Sequence, residues 1–225
     1  MQSRDRLIVA LDRSSRDEIL RLADQLQTEV GMFKIGLQAF LSNGPSIVEE
    51  LERRGARLFL DLKIHDIPNT AQYAVEACAG MGVAMTTVHA AGGEAMLRAS
   101  AHDTMLVLAV TVLTSLDSIA LRETGVVESP LDQAVRLAAL ARRSGLRGVI
   151  ASPQEIEAIR AECGDDFVIV TPGIRPKGST GDDQQRTKTP AAAVAAGADY
   201  IVIGRPITGA ADPRGAARAV VESLP

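Results

Sequence analysis

Apolar residues along this chain come in short unbroken runs. Between the runs lie longer stretches in which apolar residues recur every three or four positions. The runs are RLIVALD (6–12), MFKIGL (32–37), RLFLDLK (57–63), AMTTVHA (84–90), MLVLAVTVL (105–113), GVIAS (148–152), FVIVTPG (167–173) and YIVIGRP (200–206). Continuous apolar runs of this length fit strands buried on both faces, as in a parallel sheet covered by helices. The intervening stretches include RDEILRLADQLQ, SIVEELERRG, TAQYAVEACAG and LDQAVRLAALARRSG, and their spacing predicts amphipathic helices.

Helix-start signals agree with this division. Ser15 with Glu18, Ser46 with Glu49, and Ser152 with Glu155 each match a capping box, the last with Pro153 at the first helical position. Asp212 before Pro213 is a further start. Eight strand–helix units in 225 residues leave about 28 residues for each, enough for a minimal closed (β/α)8 TIM barrel. An open doubly wound sheet would show a glycine-rich turn after its first strand. Here the first run ends in LDRSS, without glycine. The expected architecture is one (β/α)8 barrel domain spanning residues 1–225.

Composition narrows the function classes. The chain is 46% hydrophobic and only 3% aromatic, so Ala, Val, Ile and Leu carry the packing. Its net charge of −4 and the lack of a basic segment disfavour nucleic-acid binding. No apolar run approaches the roughly 18 residues of a membrane span. The N-terminus enters a strand almost at once, unlike a signal peptide. Cys78 and Cys163 match no metal spacing and read as buried free thiols. A cytoplasmic protein is the expectation.

Polar residues interrupt the runs mainly at their C-terminal ends, where barrels of this kind place their catalytic groups. Asp12 closes the first run and Lys34 lies in the second. Asp61 and Lys63 close the third, with Asp66 just beyond; Thr114 and Ser115 follow the fifth. Pro172, Gly173 and Arg175 follow the seventh, and Gly204 and Arg205 the eighth. Regular strand alternation would point Asp61 and Lys63 to the same face. A buried pair of opposite charges recovers its desolvation cost only in part, so stability is a poor reason to keep one. Four charges converging at one mouth, Asp12, Lys34, Asp61 and Lys63, read instead as a site.

The polar segment TPGIRPKGSTGDDQQR (171–186) has the length of a lid or binding loop. The loops after the last two strands of such barrels commonly hold phosphate. Gly204 would admit an oxyanion to the backbone, Arg205 offers a bidentate fork, and Gln184 an amide donor. The histidines carry less: His65 should face away from Lys63 and Asp66, His89 ends the fourth run, and His102 should be solvated. None has ligand spacing, so no metal site is expected, although Asp61 and Asp66 could in principle hold Mg²⁺ through oxygen.

Five segments in order, DLKIHDIPNT, VTVLTS, TPGIRP, the DDQ of the long loop and IGRPIT, closely resemble the orotidine 5′-phosphate decarboxylase family. The likeness runs from VALD near the start to GRPITGAADP near the end. It departs at Ile64, where many members have an aromatic residue, and in the compact stretch between VHAAGG and LAVTVLTS.

The resemblance implies a cofactor-free reaction, the last step of de novo pyrimidine nucleotide synthesis: orotidine monophosphate loses carbon dioxide and becomes UMP. It implies that Lys34, Asp61, Lys63 and Asp66 form an alternating charge network. It also implies a homodimer in which Asp66, Ile67 and Thr70 reach the active site of a second subunit. Asp12 would bind ribose hydroxyls and Thr114 would meet the pyrimidine. Gln184, Gly204 and Arg205 would hold phosphate, and Arg175 would order the seventh loop, with Pro172 beside it at the binding site. A Mg²⁺-dependent sugar-phosphate decarboxylase or aldolase on the same barrel is the alternative, because the D-x-K-x-x-D core is shared.

Overall fold

The structure, a computed structural model, describes residues 1–176 and 188–225. Eight parallel strands pair in chain order and close on themselves, β1 pairing with β8. They are β1 (Leu7–Ala10), β2 (Met32–Gly36), β3 (Leu58–Ile64), β4 (Met85–His89), β5 (Leu106–Val110), β6 (Gly148–Ile150), β7 (Val168–Thr171) and β8 (Tyr200–Ile203). Each predicted run supplied one strand, so the expected TIM barrel is the observed fold.

Every connection described crosses over through at least one helix. They are α1 (Arg16–Leu26), α2 (Leu37–Asn43), α3 (Ser46–Arg53), α4 (Pro68–Gly80), α5 (Gly93–Ala99), α6 (Ser118–Glu123), α7 (Pro130–Arg143), α8 (Ile156–Cys163), α9 (Pro190–Ala195), α10 (Arg205–Thr208) and α11 (Pro213–Glu222). The connections after β2 and β5 and the segment after β8 each carry a second helix beyond the one expected. The additions α2, α6 and α10 are short, and each comes first after its strand, near the C-terminal rim of the barrel.

Strand alternation divides the core in two. Ile8, Ala10, Met32, Phe59, Met85, Leu108, Val170 and Val202 pack together inside the barrel. Leu7, Val9, Leu11, Ile35 and Leu60 join the layer between sheet and helices. Ile47, Val48 and Leu51 of α3 are fully buried in that outer layer. Each such side chain contributes about 1.5–3 kcal/mol relative to leaving it in water.

The helix starts follow the sequence unevenly. Ser15 accepts from the Glu18 N–H, and Asp212 accepts from the Gly215 N–H at 3.0 Å. Around Ser152 the reciprocal half of the box forms: the Ser152 N–H donates to Glu155 Oε2 at 2.9 Å, in a turn that precedes α8. The expected cap at Ser46 is not made. Ser46 is already inside α3, which starts after Pro45, and its hydroxyl donates to the Asn43 carbonyl. Cys78 and Cys163 are buried free thiols. Among the described residues no helix is long and apolar enough to cross a membrane.

Candidate active site

A cavity of about 640 Å³ opens within the C-terminal mouth of the barrel. That volume suits a nucleotide-sized ligand. Asp12, Lys34, Asp61, Lys63, Thr114, Pro172, Arg175, Gly204 and Arg205, all singled out in the sequence, line it. Phe59, Val110, Ile150 and Val202 give it an apolar floor, and Arg13 and Gln38 add polar groups that the sequence did not single out.

The charges form a chain across three adjacent strands. Lys34 Nζ donates to Asp12 Oδ1 at 2.9 Å and lies 3.6 Å from Asp61 Oδ2. Lys63 Nζ donates to the same Asp61 oxygen at 2.8 Å. Lys34 and Asp61 are both buried, 9% and 8% exposed, so the contact between them is only weakly screened by water. Burial by itself would raise the Asp61 carboxyl. The charges of Lys34 and Lys63, with hydrogen bonds from Lys63 and Thr87, outweigh it and hold Asp61 below the usual carboxylate range.

The sequence missed the glycine that makes room for this chain. A Cβ on Gly36 would stand 2.8 Å from both Asp12 Oδ1 and Lys34 Nζ. Any larger residue at the end of β2 would make one or both of those side-chain ends shift. At Gly204 a Cβ would meet nothing nearer than Ala10 Cβ at 3.5 Å. Protein packing alone does not demand glycine there.

The third strand departs from regular alternation. Leu60 pairs with Thr86 and Ile64 with Val88, so residues 61–63 of β3 stand opposite Thr87 alone. Lys63 has φ 53°, the one left-handed non-glycine residue among those described. Both charged side chains still reach the mouth, but they do so through a bulge and not through simple alternation. Left-handed backbone in a residue bearing a Cβ costs about 1–2 kcal/mol, and such strain concentrates at functional sites.

Three expected residues lie outside the cavity lining. Asp66 is exposed, and its Oδ1 accepts from the Ile67 N–H at 2.7 Å. Among the described residues it forms no ion pair. Ile67, the residue before α4, is 67% exposed, and Thr70 is exposed in the first turn of that helix. Gln184 lies outside the described residues.

His89 ends β4 as expected, and the structure adds contacts that the sequence did not show. His65 stacks on His89, with ring centroids 5.4 Å apart. Burial, then the neighbouring His65 and Lys63, push His89 below the ordinary histidine value. His102 is not merely solvated: its Nδ1 accepts from the Met105 N–H at 3.1 Å and fixes the turn into β5. No group of three or more His, Cys, Asp or Glu side chains is placed to hold a metal among the described residues.

Comparison with known proteins accounts for this geometry. The orotidine 5′-phosphate decarboxylase / HUMPS family profile matches residues 5–220. The chain belongs to that family. An orotidine 5′-phosphate decarboxylase of Moorella thermoacetica is 50% identical over all of this chain and 94% of its own length. One from Pasteurella multocida is 45% identical, covering 98% of this chain and 97% of the relative. The crystal structure of orotidine 5′-phosphate decarboxylase from Lactobacillus acidophilus superposes with a TM-score of 0.85 at 36% identity, covering 97% of this chain and 98% of that one. The orotidine 5′-phosphate decarboxylase / HUMPS family thus accounts for nearly the whole barrel, its mouth included.

Proposed function

We propose that this chain decarboxylates orotidine 5′-monophosphate to UMP and carbon dioxide. The observation that carries the reading is the Lys63 ammonium, held 2.8 Å from Asp61 in a mouth that also presents Lys34, Asp12 and Arg205. Family membership and relatives that bear the decarboxylase name support it over the Mg²⁺-dependent alternative.

The chemistry suits these residues. Breaking the bond from ring carbon C6 to the carboxylate releases carbon dioxide and leaves its electron pair on C6. That pair lies in the ring plane, where the π system cannot delocalise it. Fixed charge must stabilise it. The Lys63 ammonium supplies that charge and then gives its proton to C6, forming the C–H bond of UMP. The resulting amine regains a proton from solvent. Asp61 aims the ammonium through their 2.8 Å hydrogen bond, while Lys34 ties Asp61 to Asp12, the residue proposed to hold the ribose hydroxyls. Thr114 is assigned to the pyrimidine.

The phosphate is assigned to Gly204 and Arg205, with Gln184, Arg175 and Pro172 on the seventh-strand side. Its grip lies away from the bond that breaks. Binding energy gathered there can still lower the barrier by closing the site and excluding water.

Asp66, Ile67 and Thr70 belong, in this reading, to the site of a second subunit in a homodimer. Their exposure at the start of α4, with Tyr73 also 62% exposed, supports that assignment.

The test is an ultraviolet assay with orotidine monophosphate in chelator-treated buffer. Loss of the substrate's absorbance with formation of UMP is the expected result. Activity that requires added Mg²⁺, or no turnover at all, would overturn the reading.

A further inference from the structure

We infer that Thr87 is a positioning residue that sets the Lys63 ammonium by holding both ends of the β3 bulge; the inference rests on the proposed decarboxylation. Thr87 is fully buried, in β4, opposite the three bulged residues. Its Oγ1 accepts from the Lys63 N–H at 2.8 Å. The same hydroxyl donates to Asp61 Oδ1 at 2.9 Å. Asp61 in turn accepts from Lys63 Nζ through its other oxygen. A ring of hydrogen bonds therefore runs from the Lys63 backbone through Thr87 and Asp61 to the Lys63 side chain.

The direction of that ring is chemically fixed. A backbone N–H can only donate, and an ionised carboxylate can only accept. The one hydroxyl proton must go to Asp61, and its lone pair must face Lys63. Thr87 thus ties down the left-handed residue and its carboxylate partner with a single atom. Bulges of this type commonly re-aim a side chain beside an active site. A group that must face a developing carbanion needs its support fixed to fractions of an ångström.

Thr87→Val keeps shape and removes the hydroxyl. It leaves the Lys63 N–H and one Asp61 oxygen without their partner. We expect kcat to fall by about 10²-fold, as for ångström-scale misplacement of a reacting group, while KM changes far less because the phosphate contacts are elsewhere. Thr87→Ser, which retains the hydroxyl, should restore most of the loss. The acid limb of the kcat–pH profile should move to higher pH in Thr87→Val, because Asp61 loses a donor. A general loss of folding would not produce that shift.

If Thr87→Val does not fold, Thr87→Cys supplies the test: its weaker S–H donor should give an intermediate kcat. Wild-type protein is assayed alongside. An inactive wild type sinks the decarboxylase reading itself. An active wild type with unchanged kcat in folded Thr87→Val or Thr87→Cys sinks only the role of Thr87.

Discussion

Gly36 lies against the Lys34 ammonium: a Cβ at residue 36 would fall 2.8 Å from Nζ. The same Cβ would crowd Asp12 Oδ1, so alanine there must displace one or both side-chain ends from their present positions. In Gly36→Ala we expect kcat/KM to fall by about 10²-fold, the scale of a misplaced positioning group. The melting temperature should move by only a few degrees, since the change lies at the mouth and not in the packed layers. Steady-state assays with a thermal melt check this, and a fully active variant would contradict it.

Arg205→Ala leaves the chain from Asp12 to Lys63 intact and removes the guanidinium proposed for the phosphate. Loss of one charge-assisted contact should lower kcat/KM by at least about tenfold. A truncated substrate without phosphate should react equally with the variant and the wild type. If the variant discriminates between the two substrates as strongly as wild type does, the phosphate lies elsewhere.

Lys63→Ala and Asp66→Ala chains, each inactive alone, should complement on mixing. Both defects then fall in one site of a mixed dimer, and the other site is whole. Random exchange of equal amounts should return about a quarter of wild-type activity for a two-fold symmetric pair. Demonstrated subunit exchange without recovered activity would remove Asp66 from the shared site.

The lowered pKa values of His89 and Asp61 give stability a common direction with pH. For His89 the unfolded value is about 6.5 and the folded one lies below it. The unfolded chain therefore binds more protons in that window, so stability is complete above it and falls as pH drops through the folded value. Asp61 adds a second loss, beginning near pH 4 and completed at its depressed folded value. Melting temperatures between pH 7.5 and 5 should decline less in His89→Gln than in wild type. Parallel curves would assign that decline to other groups.

The barrel was legible because the eight strands are largely buried on both faces, and each left a short, mainly apolar run. The charged mouth was legible for a related reason: Asp12, Lys34, Asp61 and Lys63 interrupt those runs where hydrocarbon would otherwise continue. Gly36 and Thr87 left no such mark. A glycine in a strand and a threonine in an apolar run are ordinary until three-dimensional neighbours give them a task. Alternation correctly put Asp61 and Lys63 together, yet it could not foresee the bulge, because register is decided by the pairing of β3 with β4. The stacking of His65 on His89 escaped for the same reason. Ser46 failed as a cap because Pro45 had already begun the turn.

Lys63 occupies a backbone posture that glycine or asparagine would adopt more comfortably. Selection for folding alone would let lysine drift away from this position over generations. Its persistence in a lineage would then report continued demand for the chemistry, and a descendant that had abandoned the reaction should be found with a smaller residue here before its barrel had otherwise changed.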